Sequence, residues 1–155
     1  MNIIMDVKLV NFDKVFLDLS WYWTNDEEIR KLIDAPIISK YEQEKWFDSL
    51  QCRGDFLIYG VEFDGVPIGV AGLKRINEGS AYVYWYIGEK DYWGKKIGQI
   101  IAKEISFKAK EKNINTLYGE VKYFNFRSIN LFFKEGYKII NFEETKGLYI
   151  MEKKI

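Results

Sequence analysis

Between an aromatic strand and a long amphipathic helix runs Asp91-Tyr92-Trp93-Gly94-Lys95-Lys96-Ile97-Gly98-Gln99, a segment suited to holding an anion. The first unpaired N–H groups of a helix and the positive end of its dipole attract negative charge, and a pyrophosphate fits there well. Gly94 and Gly98 remove side chains where a phosphate must approach the backbone, and Lys95 and Lys96 add positive charge. An ordinary glycine-containing turn before a helix explains the same residues, because short glycine patterns are common. A dinucleotide-binding fingerprint does not fit: its third glycine and its downstream ribose-binding acid are missing. Thirty residues on, Asn125-Phe126-Arg127-Ser128 opens a second helix that closes on Lys134-Glu135-Gly136-Tyr137.

Histidine is absent, which removes Ser-His-Asp triads, Cys-His pairs and His-ligated zinc. No metal is expected. The single cysteine, Cys52, cannot form an internal disulfide and reads as a buried or spectator thiol. Lys plus Arg and Asp plus Glu both number 23. A polybasic surface for nucleic acid or anionic lipid is therefore not expected. The N-terminal residues lack the basic-then-apolar order of a signal peptide, and apolar runs are too short to span a membrane. A cytoplasmic protein is the expectation. Aromatic residues make up 17% of the chain, enough to build a large core with some left over for a stacking surface.

These blocks must be positioned by the elements around them. The pattern predicts a strand at 8–10 and a helix capped by Asp13 and running through Trp23. Asp26 caps a second helix over 27–33, ended by Pro36, and Ser39 with Glu42 starts a third, running to about Gln51. Strands 56–63 and 66–74 flank an Asp64-Gly65 turn, and a third strand covers 81–87. A helix from near Gly94 places Ile97, Ile101, Ile105 and Ala109 on one face, and Asn113 stops it. A strand over 116–121, a helix over 126–135 with Gly136 at its C-terminus, and strands 138–142 and 148–152 complete the chain. The alternation predicts one domain over 1–155, a mixed α/β sheet of six or seven strands flanked by helices. Strand 81–87, its following helix and strand 115–121 form a unit in which parallel strands are expected.

With both blocks in this order, the chain resembles the GNAT superfamily of N-acetyltransferases. The family's pyrophosphate loop, Gln/Arg-x-x-Gly-x-Gly/Ala, corresponds to Trp93-Gly94-Lys95-Lys96-Ile97-Gly98, where only the final glycine agrees. The Tyr-Trp-Gly-Lys opening looks like the branch of ribosomal-protein and nucleotide-sugar acetyltransferases. Asn125-x-Arg-Ser-x-x-Leu-x-x-Lys134-x-Gly136-Tyr137 follows the family's Asn-x-x-Ser…Lys-x-Gly-Phe pattern closely. A capped amphipathic helix ending in glycine accounts for it equally. The resemblance implies acetyl-CoA as co-substrate, with its pantetheine between strands 81–87 and 115–121, splayed apart to hold it. Trp85, Tyr86 and Ile87 would contact it from the first strand, with a backbone N–H there facing the thioester oxygen. Trp93, Gly94, Lys95, Lys96, Ile97, Gly98 and Gln99 would hold the pyrophosphate. Asn125, Ser128, Phe132 and Lys134 would line the pantetheine arm and thiol end.

The same resemblance implies transfer of the acetyl group to a primary amine, whose proton must be removed first. Many relatives carry a Glu near the start of the strand over 81–87, where this chain has Tyr82. Glu120, across the splay, is the best carboxylate, although a solvent-facing strand residue is an equal reading. A water chain held by Tyr82 or Tyr84 is the other option. Many relatives protonate the leaving thiolate with a Tyr at the position of Phe132, which cannot donate. Trp23, Asn25 and Asp26, in a segment similar to that of amino-sugar acetyltransferases, are expected to meet the acceptor; packing and helix capping explain them as well. The acceptor is expected to be a small-molecule amine, with an amino-sugar nucleotide favoured over a protein N-terminus. A non-catalytic acyl-CoA-binding module and an interaction protein without a CoA site are the competing readings. The aromatic-rich surface is compatible with a homodimer.

Overall fold

The computed structural model describes residues 6–155. Seven strands form, at Val7–Asn11 (β1), Leu57–Phe63 (β2), Val66–Asn77 (β3), Ser80–Ile87 (β4), Thr116–Lys122 (β5), Lys138–Glu143 (β6) and Leu148–Lys154 (β7). Five helices accompany them, at Lys14–Asn25 (α1), Glu27–Ile33 (α2), Lys40–Ser49 (α3), Ile97–Glu111 (α4) and Phe126–Lys134 (α5). All strands belong to one mixed sheet in the order β1-β2-β3-β4-β5-β7-β6. Every neighbouring pair is antiparallel except β4 and β5, the two strands that α4 connects.

Local chemistry explains most boundaries. The Asp13 carboxylate accepts from the N–H groups of Val15 and Phe16, Asp26 from Ile29, and Ser39 from Glu42, so each satisfies donors that a helix start leaves open. Asp64 and Gly65 both have positive φ, 48° and 81°, as a two-residue hairpin turn between right-twisted strands requires. At the end of α5, Gly136 adopts φ 92° while Tyr137 N–H reaches back to the Phe132 carbonyl at 3.0 Å, a left-handed helix stop. Asp34, also left-handed at φ 55°, ends α2 two residues before Pro36.

The sheet is covered on both faces. Ile97, Ile101, Ile105 and Ala109 lie on one stripe of α4, all buried, and pack with α5 against Ala71, Leu73, Ala81, Val83 and Leu117. On the other face Phe12 from the loop before α1, Phe16 and Trp23 of α1, Ile29 of α2 and Trp46 of α3 pack with Val70, Tyr84 and Tyr86. Alternate residues of β4 therefore serve opposite cores, as the period of two in a strand demands. Among the described residues no helix is long and apolar enough to cross a membrane.

Candidate active site

The parallel pair β4–β5 is short. It holds only at Ser80↔Thr116, Ala81↔Leu117 and Tyr82↔Tyr118. Past that point β4 stays bonded to β3 as far as Ile87, and β5 stays bonded to β7 as far as Lys122. The facing edges of 83–87 and 119–122 thus diverge without pairing. Phe132 of α5 sits in the fork: its ring stacks on Trp85 with centroids 5.0 Å apart, and a Cβ on Gly119 would lie 2.4 Å from it. Backbone groups of a sheet interior need partners, so an open edge here is a place for an extended, amide-bearing ligand to pair as an added strand.

At the end of β4 the chain turns into α4. The helix begins at Ile97, three residues later than the sequence predicts, because Gly94 (φ 75°) and Lys96 (φ 64°) are left-handed and cannot belong to it. No side chain caps the start of α4 and no acid lies in its first turn. Its leading N–H groups therefore face outward with the helix dipole behind them. Trp93 ties the loop down by donating from Nε1 to the Ile87 carbonyl at 2.8 Å, and the Arg127 guanidinium lies 5.2 Å from the Trp93 ring.

A cleft of about 660 Å³ joins these features. Trp85, Tyr86 and Ile87 form its β4 wall, and Trp93, Gly94, Lys96, Ile97, Gly98 and Gln99 form the turn at the head of α4. Asn125, Ser128 and Lys134 face them from α5, whose N-terminus Asn125 caps by accepting from Ser128 N–H. Lys95 lies outside the cleft, with its ammonium 5.8 Å from the Tyr92 ring. Sequence reasoning missed Arg127, which adds a cation to this wall, and the roof that Leu32 and Ile33 of α2 supply. Arg127 had a signal, since it stands in the first turn of a helix whose start faces the same crevice. Burial raises the Tyr86 phenol far above its ordinary value, so it stays a neutral wall.

A second cavity of about 310 Å³ adjoins the first and shares Leu32, Ile33, Trp85, Asn125 and Ser128 with it. Phe132 lines this one. Glu120 also faces it, and both Arg75 Nη2 and Lys74 Nζ, the latter at 3.4 Å, meet the same carboxylate oxygen, Oε1. Lys122, Asp34 and Lys146 complete the charged rim, with Lys122 Nζ 3.1 Å from Asp34 and 2.7 Å from the Lys146 carbonyl.

Several expectations need correction. Trp23 is only 5% exposed; its ring covers Gly88 and its Nε1 donates to Glu89 at 2.9 Å, so it cannot stack on an acceptor. Asn25 donates to the Trp21 carbonyl, and Asp26 caps α2 while pairing with Lys90 at 2.8 Å; neither lines either of these two cavities. The Lys90 ammonium, helped by the Ile29 N–H, holds the Asp26 carboxyl below the usual carboxylate range. Tyr82 lines neither cavity; its ring is flanked by Tyr118 and by the Arg75 guanidinium. Tyr84 does line the second cavity, but its hydroxyl donates its proton to the Leu57 carbonyl, 3.2 Å distant. Cys52 is exposed, which removes the buried alternative and leaves the spectator one. Replacing Trp23 by Phe should lose one hydrogen bond and part of a buried ring, at least about 1 kcal/mol together, and lower Tm by at least roughly 2–4 °C. The acceptor KM should not move; a raised KM at unchanged Tm would restore Trp23 to the site.

The sequence profile of the acetyltransferase (GNAT) family matches residues 18–137. This chain belongs to that family. Its fold is shared with spermidine N-acetyltransferase from Vibrio cholerae, solved with CoA and spermine: 17% identity, TM-score 0.88, covering 96% of this chain and 95% of that one. It is shared too with the N-acetyltransferase PseH of Campylobacter jejuni in complex with acetyl coenzyme A, at 23% identity and TM-score 0.76, covering 96% and 99%. A domain from Methanocaldococcus jannaschii aligns at 19% identity and TM-score 0.86 over 98% of this chain and all of that one. This GNAT chain is an acetyl-CoA-dependent N-acetyltransferase. The unpaired strand edges and the uncapped head of α4 fit such a co-substrate, having amide partners for a pantetheine and free N–H donors for a pyrophosphate.

Proposed function

We propose that this GNAT enzyme acetylates the primary amine of a small molecule, with an amino-sugar nucleotide as the first candidate acceptor. The observation that carries the reading is the junction of two cavities at Trp85, Asn125 and Ser128. The long cleft has the shape and donors for acetyl-CoA, and the smaller cavity opens where the strands diverge. In this reading Ile97, Gly98 and Gln99 present N–H groups to the pyrophosphate, and Lys96, Arg127 and Lys134 balance its charge. The Asn125 Oδ1 is committed to capping α5, so its amide nitrogen is the donor available to the pantetheine. A backbone N–H of Trp85–Ile87 polarises the thioester oxygen as negative charge develops.

Glu120 takes the proton of the acceptor ammonium. Lys74 and Arg75 fix its Oε1, and Oε2 is the oxygen left to face the amine. The amine nitrogen attacks the acetyl carbonyl, the carbon–sulfur bond breaks, and CoA departs as thiolate. A thiol has a pKa of about 8.5, so departure without a side-chain acid at Phe132 carries a moderate cost. Tyr137 packs edge-on against Phe132 at 4.7 Å but lines neither cavity, and burial holds its phenol well above the ordinary tyrosine range. The test is release of free CoA thiol from acetyl-CoA across a broad panel of primary amines. Release with at least one small amine is expected; no release with any would contradict the proposal.

A further inference from the structure

We infer that the acceptor carries a phosphate or diphosphate group, which the cations of the second cavity hold. This rests on the acetyltransferase reading above and deepens it by naming the acceptor's charge. Four cationic residues line that cavity, Lys74, Arg75, Lys122 and Lys146, against two carboxylates, Asp34 and Glu120. The surplus of two positive charges stands out in a chain whose formal net charge is zero. It is also local: the cations come from β3, the end of β5 and the β6–β7 turn, which meet only in the folded sheet.

The cations differ in what already occupies them. Lys122 is the most committed, held by Asp34 and the Lys146 carbonyl, with its side chain 15% exposed. Lys74 and Arg75 share one oxygen of Glu120, so each keeps donors for a second partner. The Arg75 guanidinium also lies over the Tyr82 ring, 3.9 Å from its centroid, at a residue with φ 52°. A planar fork placed between a carboxylate and a ring face suits the bidentate binding of phosphate oxygens. Lys146 stands in the exposed β6–β7 turn at the rim, where its carbonyl accepts from Lys122. Such a cavity repels a polyamine or an aminoglycoside, whose own charges are positive, and attracts an amine attached to an anion.

The test is a binding titration of protein saturated with CoA, which fills the first cleft and leaves the second to report. Glucosamine, glucosamine 6-phosphate, UDP-glucosamine and spermidine are compared. At least one of the two phosphorylated amines should bind tenfold or more tightly than glucosamine, and spermidine weakest of all. Preference for UDP-glucosamine identifies a nucleotide diphosphate as the anion, and preference for glucosamine 6-phosphate a sugar phosphate. The advantage should shrink with added salt and fall at least tenfold in the double variant Arg75→Gln, Lys146→Gln, with CoA affinity unchanged. Equal binding of glucosamine and both phosphorylated forms, tighter binding of spermidine, or an unaltered preference in the double variant would overturn the inference. Failure of the wild type to bind CoA at all would instead overturn the acetyltransferase reading.

Discussion

Glu120→Gln should lower kcat/KM by about 10²- to 10⁴-fold at neutral pH, the usual worth of a positioned general base. An alkylamine with a pKa of about 10.4 is almost wholly protonated at pH 7, and its nitrogen cannot attack until the proton leaves. Glutamine keeps the size and the oxygen contact but accepts no proton. The deficit should therefore narrow as pH climbs toward the amine's own pKa, where solvent deprotonates the acceptor for both enzymes. Stability should change little, because Lys74 and Arg75 are substantially exposed and such ion pairs contribute on the order of 1 kcal/mol or less. Paired pH–rate profiles check this. A variant with wild-type turnover, or a deficit that is the same at every pH, would remove Glu120 as the base.

Gly98→Glu should raise the KM for acetyl-CoA by more than about 30-fold. Gly98 lies in the first turn of α4, where the N–H groups have no capping side chain. A carboxylate there meets the pyrophosphate with like charge. Two unit charges 4 Å apart repel by about 4 kcal/mol at an effective dielectric of 20. Half of that, after screening, already corresponds to about 30-fold in affinity. Bulk is the smaller effect, and Gly98→Ala separates the two. An added Cβ would sit 3.1 Å from the flexible Leu131 Cδ1, so a small side-chain shift accommodates it, and alanine favours the helix. The alanine variant should lose less than tenfold, whereas equal losses in both would make crowding the cause.

The parts of the fold that were legible in sequence are those fixed by neighbours along the chain. Asp13, Asp26, Ser39 and Asn125 cap helices at the predicted places because a short polar side chain satisfies N–H groups two or three residues away. The α4 stripe of Ile97, Ile101, Ile105 and Ala109 is buried as its spacing requires. The start of α4 was misread because Lys96 occupies a left-handed position that its residue type does not advertise. Trp21 and Trp23, two apart on one helix, must face different ways, but their spacing does not say which one meets the sheet. Gly88 decides that, since a ring fits only where no Cβ intervenes. The charged cavity was invisible for a stronger reason. Lys74, Glu120 and Lys146 meet through the β3–β4–β5 and β5–β7 registers, and no local pattern records which distant side chains a register brings together.

Titrating acetyl-CoA into wild type and Gly98→Glu by calorimetry, side by side, tests the central claim most directly. One-site binding to the wild type, lost or weakened by more than about 30-fold in a variant that remains folded, is the predicted result. Equal binding by both would place the co-substrate somewhere other than the head of α4, and no binding by either would contradict the account as a whole.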